Sequence, residues 1–175
     1  MSLKFALSVT AVSIAFTGSC SRVDEANAHA NTSAPHQCAA EQIKHNEMTV
    51  RLVFDEILTG GKIAENEHIY HTDFVVHGDG RDGGRQEDRA ATEEWRKMAP
   101  DIRMTPLRVV ADCDMAAVHW QGTGTNTGGG NGIPATGSSI RVQGVTFFKF
   151  RGGKIAEEWT VFDQYAFLKQ LGLLK

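Results

Sequence analysis

IRVQGVTFFKFRGGKIAEEWTVFD, residues 140–163, decides the fold. Two runs dense in β-branched and aromatic residues, Ile140 to Phe150 and Ile155 to Phe162, flank Arg151-Gly152-Gly153-Lys154. Paired glycines supply the positive backbone angles of a tight hairpin turn, so the stretch reads as a long antiparallel hairpin. Upstream, Leu107 to Asp112 and Met115 to Thr125 flank a Cys113-Asp114 turn and read as two more strands. Helices precede them. Ile43, Val50, Val53, Phe54 and Ile57 recur at helical spacing, and Gly60-Gly61 ends the run because glycine tolerates a left-handed cap. This predicts an amphipathic helix from about Ala39 to Leu58. A shorter helical stretch, Ile63 to Tyr70, leads into a brief strand, Phe74-Val75-Val76, and a Gly-Asp loop at 78–84. Arg85 to Ala99 puts Ala91, Trp95 and Met98 on one helical face with Pro100 just beyond, and Gln164 to Leu174 closes the chain with a helical turn. Helices followed by a long meander predict an α+β fold in which the helices cover one face of a curved antiparallel sheet.

The 175 residues, 41% hydrophobic and 22% charged, suit one globular domain behind a leader. Eighteen Lys and Arg stand against 21 Asp and Glu, which gives no broad electrostatic footprint for nucleic acid. Residues 5–16, FALSVTAVSIAF, form an apolar run behind Lys4 that is too short to span a bilayer and the right length for a signal-peptide core. Thr17-Gly18-Ser19-Cys20 resembles the lipobox of bacterial lipoproteins, with Thr17 where leucine is usual, and makes Cys20 the candidate lipidation site. Cleavage after Ala28-His29-Ala30 is the alternative. The expected organisation is a signal peptide over 1–20, a flexible linker over 21–38 and a domain over 39–175. The mature chain is then exported, either periplasmic or held at the membrane through a lipid on Cys20. Cys38 and Cys113 are an even pair for which a disulfide and two separate thiols both remain open.

With Gly152-Gly153 as a two-residue turn, strand alternation places Thr146, Phe148 and Phe150 on one face with Ile155, Glu157, Trp159, Val161 and Asp163. That face is the more apolar and is expected to look inward, where desolvation raises a carboxyl toward the range useful for proton transfer. Asp163 and Glu157 are therefore the candidate acids. A slip of one residue would bring Glu158 and Thr160 inside instead. His77 and His119 are candidate proton relays. Trp95, Trp120, Trp159, Phe148 and Phe150 are candidates for an aromatic wall against a flat apolar ligand. The spacing of His68, His71, Asp73 and His77 crosses from helix to strand and does not align metal ligands, and no metal is expected. The glycines at 128–132 lack the Lys-Ser/Thr pair of a phosphate cradle and read as a mobile pocket lip.

Several stretches together resemble the SnoaL-like polyketide cyclases, also labelled ester cyclases, of the nuclear transport factor two-like superfamily. They are LTGGKIAENEHIYHTDFVVHG at 58–78, Trp95 with APDIRM at 99–104, GTGTNTGGGNGIPATG at 122–137 and FFKFRGGKIAEEWTVFDQYAFLKQLG at 147–172. The resemblance implies a cone-shaped sheet enclosing a pocket, an α+β barrel, for a small apolar carbonyl or ester compound. It also implies an intramolecular aldol closure assisted by a carboxyl group without a cofactor. Two positions depart from the family pattern. Asn126 stands where members commonly carry His, which makes it a candidate ligand contact, and Thr160 stands where an Asp often follows the Trp. These departures and the exported location also admit a noncatalytic binding module, and a homodimeric assembly domain using the outer sheet face is a third reading.

Overall fold

The computed structural model describes residues 39–78 and 80–174, so the leader, Cys20, the linker and Cys38 lie outside the described residues. Helix α1 spans Ala40–Leu52 and runs on as a π-helical turn, Val53–Thr59. The expected single helix is thus wound more widely in its last turns, and Val53, Phe54 and Ile57 all remain buried there. A 3-10 segment, Ala64–Ile69, leads into β1, Tyr70–Gly78. Then come β2, Arg81–Gly83, and α2, Arg85–Met98. Strands β3, Arg103–Ala111, β4, Met115–Thr125, β5, Ser139–Arg151, and β6, Lys154–Phe162, follow, and α3, Gln164–Gln170, ends the chain.

The strands form one curved, unclosed sheet in the order β2-β1-β6-β5-β4-β3. All neighbours are antiparallel except β1 and β6, which run parallel. The expected three-residue strand is nine residues long, because β1 pairs along β6 and its last turn folds back onto β2 within the segment read as a loop. His71, Thr72 and Asp73 lie where the register of β1 shifts against β6, between the Tyr70–Ile155 and Val75–Glu157 pairs, and these polar residues carry no hydrophobic pattern that would mark a strand.

The predicted hairpin is present, with Gly152 at φ 58° and Gly153 at φ 75° in its turn. Its register is not the expected one. Phe150 faces Ile155, but Lys149 faces Glu157, so Ala156 is an extra residue in β6. Such a bulge reverses side-chain parity along the rest of the strand. Ile155 and Ala156 are both buried, and beyond them Glu158, Thr160 and Phe162 face the helices opposite Phe148, Thr146 and Gly144.

The concave face packs on the first helix: Val50, Val53, Phe54 and Ile57 join Val118, Trp120, Phe148, Phe150 and Ile155 in one core. Phe54 meets the Phe148 ring edge-on with centroids 6.5 Å apart. A second cluster, Met98, Ala99, Ile140, Phe167 and Leu171, fastens the end of α2 and α3 to the sheet.

Candidate functional site

Between the two clusters lies a cavity of about 960 Å³, bounded by α2, α3 and the concave sheet. Phe54, Trp95, Trp120, Phe148 and Phe162 supply its aromatic wall. Gly144 admits the Trp120 indole, since a Cβ there would lie 2.4 Å from Trp120 Cζ2 and 2.6 Å from the Val161 carbonyl oxygen.

Glu158 projects into this cavity from the middle of the sheet, flanked by Val76 of β1 and Phe148 of β5. A directed hydrogen-bond chain ends on it. Trp120 Nε1 donates to Thr146 Oγ1 at 2.9 Å, the Thr146 and Thr160 hydroxyls are 2.8 Å apart, and Thr160 Oγ1 donates to Glu158 Oε1 at 3.3 Å. Because an indole N–H can only donate, Thr146 accepts there and is left to donate to Thr160. Desolvation pushes the Glu158 carboxyl up to about 8, and the nearby charge of Asp88 adds to that, while the Thr160 hydrogen bond and Arg85 pull the other way.

Asp88, on α2, also lines the cavity. Burial raises its carboxyl, opposed by the Arg85 guanidinium that bonds its Oδ2. Arg85 is itself held by Glu67 through Nε at 3.0 Å and Nη2 at 3.2 Å, and lies 3.6 Å over the Tyr70 ring.

Several expected site residues are elsewhere. The bulge at Ala156 turns Glu157 to the outer face, where Lys149 Nζ at 2.7 Å and His77 Nε2 at 3.1 Å bond it. These partners hold its carboxyl below the ordinary range, the reverse of the expected rise. Asp163 is exposed at the start of α3, and its Oδ1 accepts from the Ala166 N–H at 2.8 Å as a helix cap. Asp163→Ala is accordingly expected to cost about 1 kcal/mol in a chemical unfolding titration, with Asp163→Asn close to wild type.

Trp159 is also on the outer face, stacked on His77 at 4.5 Å between centroids. His77 reaches the cavity rim, but its ring nitrogens go to Asp82 at 2.8 Å and to Glu157. Desolvation lowers its basicity, and those two carboxylates outweigh that and raise it. His119 faces outward and meets Gln143 Oε1 at 3.0 Å. Phe150 is buried in the core beside the helix and does not border the cavity. Of the expected wall, Trp95, Trp120 and Phe148 do line it.

Asn126 is fully buried and spent on structure. Its Oδ1 accepts from the Thr136 N–H and Oγ1, both at 2.7 Å, and its Nδ2 donates to the Gly128 carbonyl at 3.0 Å. The glycines of this loop serve close packing rather than a free lip: a Cβ on Gly128 would sit 2.0 Å from the Lys97 carbonyl oxygen, and one on Gly130 2.3 Å from that of Glu94. Asn126→Ala removes three hydrogen bonds and leaves the Thr136 N–H only its longer bond, 3.2 Å, to the backbone carbonyl of residue 126. An expected loss of about 2 kcal/mol should appear in thermal unfolding, with faster hydrogen exchange confined to residues 126–137.

The Glu158 shift also predicts how stability depends on pH. Its carboxyl is higher folded, about 8, than its unfolded 4.5, so the folded state binds the extra proton between those values. The contribution is complete below 4.5 and is lost as pH rises through 8, at about 1.4 kcal/mol per pH unit. Denaturant midpoints measured across this window should fall less steeply in Glu158→Gln.

The SnoaL-like polyketide cyclase family matches residues 48–171. The chain belongs to that family, and its fold is that of the nuclear transport factor two-like proteins. Among solved structures, it resembles IdmH of Streptomyces antibioticus at 24% identity, covering 71% of this chain and 96% of the other with a TM-score of 0.63. A SnoaL-like protein of Jannaschia sp. CCS1 is 21% identical over 79% of this chain and 99% of the other, with a TM-score of 0.70. A SnoaL-like polyketide cyclase of Agrobacterium tumefaciens strain C58 is 22% identical over 70% and 95%, with a TM-score of 0.59. A comparison with curated proteins gives no match.

Proposed function

We propose that this chain is an exported, cofactor-free acid/base catalyst of the cyclase or isomerase type. Its substrate is a small, largely apolar carbonyl or ester compound, and Glu158 is the proton donor. The observation that carries this reading is a carboxyl group raised to about 8 on the floor of an aromatic-lined cavity in a SnoaL-like fold. A carboxyl in that range remains protonated at neutral pH and is acidic enough to give its proton to a carbonyl oxygen as that oxygen gains charge. The cavity walls exclude water and orient the reacting carbons. The Trp120, Thr146 and Thr160 chain holds Glu158 Oε1, so the carboxyl is placed before substrate arrives.

The test uses 2-tetralone, an apolar ketone with acidic hydrogens beside its carbonyl, in deuterated buffer. Proton NMR should show faster exchange with the protein than with buffer, and Glu158→Gln should remove the acceleration. Saturable binding without exchange in the wild type would favour a noncatalytic binding module.

Export is supported by the leader pattern and by Cys113, which is disulfide-bonded, as suits an oxidising compartment. Mass spectrometry of protein from its native host should find an acylated N-terminus at Cys20 or a free one near Asn31, and an intact Met1 would contradict export. Self-association through the outer sheet face is supported by exposed Val110, Phe147 and Val161 and would appear as a dimer in sedimentation.

A further inference from the structure

The cavity holds a second carboxyl group that the reading above leaves without a role. Asp88 and Glu158 reach the same space from α2 and β6, and each is anchored through one oxygen: Glu158 Oε1 by Thr160, Asp88 Oδ2 by Arg85. Among the described residues no buried side-chain nitrogen or oxygen lacks a hydrogen-bond partner. Glu158 Oε2 and Asp88 Oδ1, which bond no described residue, therefore keep accessible surface, and the space available to them is the cavity both residues line.

We propose that Asp88 is a second catalytic carboxylate, which through Oδ1 removes the carbon-bound proton of the carbonyl compound that Glu158 activates. This rests on the reading of Glu158 given above.

The neighbours of the two groups divide the roles. Asp88 has the Arg85 guanidinium against it, and Arg85 is fixed by Glu67 and the Tyr70 ring, so the negative charge of the pair resides on Asp88. Glu158 has only a hydroxyl donor and keeps the proton. The charged or titratable groups acting on the pair are thus Arg85, Glu67 and Tyr70 as well as each other. Two carboxyl groups with environments that push their acidities apart make an acid and a base.

The step balances without any further reagent. Asp88 takes the proton from the carbon beside the carbonyl, the C–H pair becomes the carbon–carbon double bond, and the carbonyl π pair takes the Glu158 proton, giving a neutral enol. When the enol carbon attacks a second carbonyl, the new alkoxide takes the proton from Asp88 and the enol oxygen returns its proton to Glu158. When it is reprotonated at carbon instead, the product is an isomer. Both carboxyl groups end as they began.

The base is tested apart from the acid with 5-nitrobenzisoxazole. A carboxylate removes its ring C–H proton, that electron pair forms a nitrile, the N–O bond breaks, and a coloured cyanonitrophenolate leaves. No proton donor is needed. The wild type should exceed acetate at equal concentration, with a pH–rate profile that reaches its plateau below neutral pH. Asp88→Asn should lose about 100-fold of the rate, while Asp163→Asn, a change at an exposed helix cap away from the cavity, stays within a few-fold of wild type. The wild-type profile decides even if Asp88→Asn fails to fold. An inflection near the Glu158 value of about 8, a full rate in Asp88→Asn, or no acceleration over acetate would each overturn the assignment. Failure of the Glu158 reading shows separately, as 2-tetralone exchange that survives in Glu158→Gln.

Discussion

Glu158→Gln is expected to fold as the wild type does and to exchange 2-tetralone at least about 100-fold more slowly, the usual size of a lost general acid. The amide matches the neutral carboxyl in shape and still offers an oxygen to Thr160, so the hydrogen-bond chain from Trp120 survives. What is lost is a proton that can leave. The effect should fall on turnover, with the binding of 2-tetralone little changed, because the apolar wall that holds the ketone is untouched. Glu157→Gln and Asp163→Asn provide the contrast. Neither residue borders the cavity, and both should retain turnover. A Glu157 variant that lost the reaction while Glu158→Gln kept it would mean that the bulge at Ala156 does not set the parity of β6.

Phe54→Asp should leave the chain unfolded at ordinary temperatures. Phe54 is 1% exposed where the π-helical turn meets the sheet, with its ring against Phe148 and no polar partner described for that site. Aspartate there loses the packing of a buried aromatic, about 3–5 kcal/mol by the measure of truncation to alanine. It also buries a carboxylate without a partner, which costs further. Together these approach the whole stability of a typical domain. Circular dichroism and size exclusion would show the loss, and Phe54→Leu serves as the milder control, with a cooperative but lower melting transition. A native-like Phe54→Asp would contradict the packing of the first helix on the concave face.

The α+β arrangement was legible because its signals are local. The helical spacing of Val50, Val53, Phe54 and Ile57 and the Gly152-Gly153 turn report directly on burial and backbone angle. The site was less legible because its placement depends on one unpaired residue. Ala156 is small and apolar and suits either a regular strand or a bulge, yet it decides whether Glu157 or Glu158 faces the cavity. The alternative of a one-residue slip names the right pair, Glu158 and Thr160, but alternation alone cannot choose it. Asp88 was hidden for another reason. It lies in RQEDRAATEEW, whose charges read as a solvated helix face, and only the tertiary position of α2 brings that carboxyl over the cavity. Asn126 and Asp163 belong to a loop brace and a helix cap, roles that polar residues near turns commonly take.

In the proposed mechanism Glu158 is a neutral acid in the resting protein, which a pH titration of its side-chain carboxyl by carbon-13 NMR, assigned by comparison with Glu158→Gln, reads directly. The predicted result is a resonance in its protonated position at neutral pH with a midpoint near 8. A midpoint near the ordinary 4.5 would show an ionised carboxylate across the working range and contradict the account.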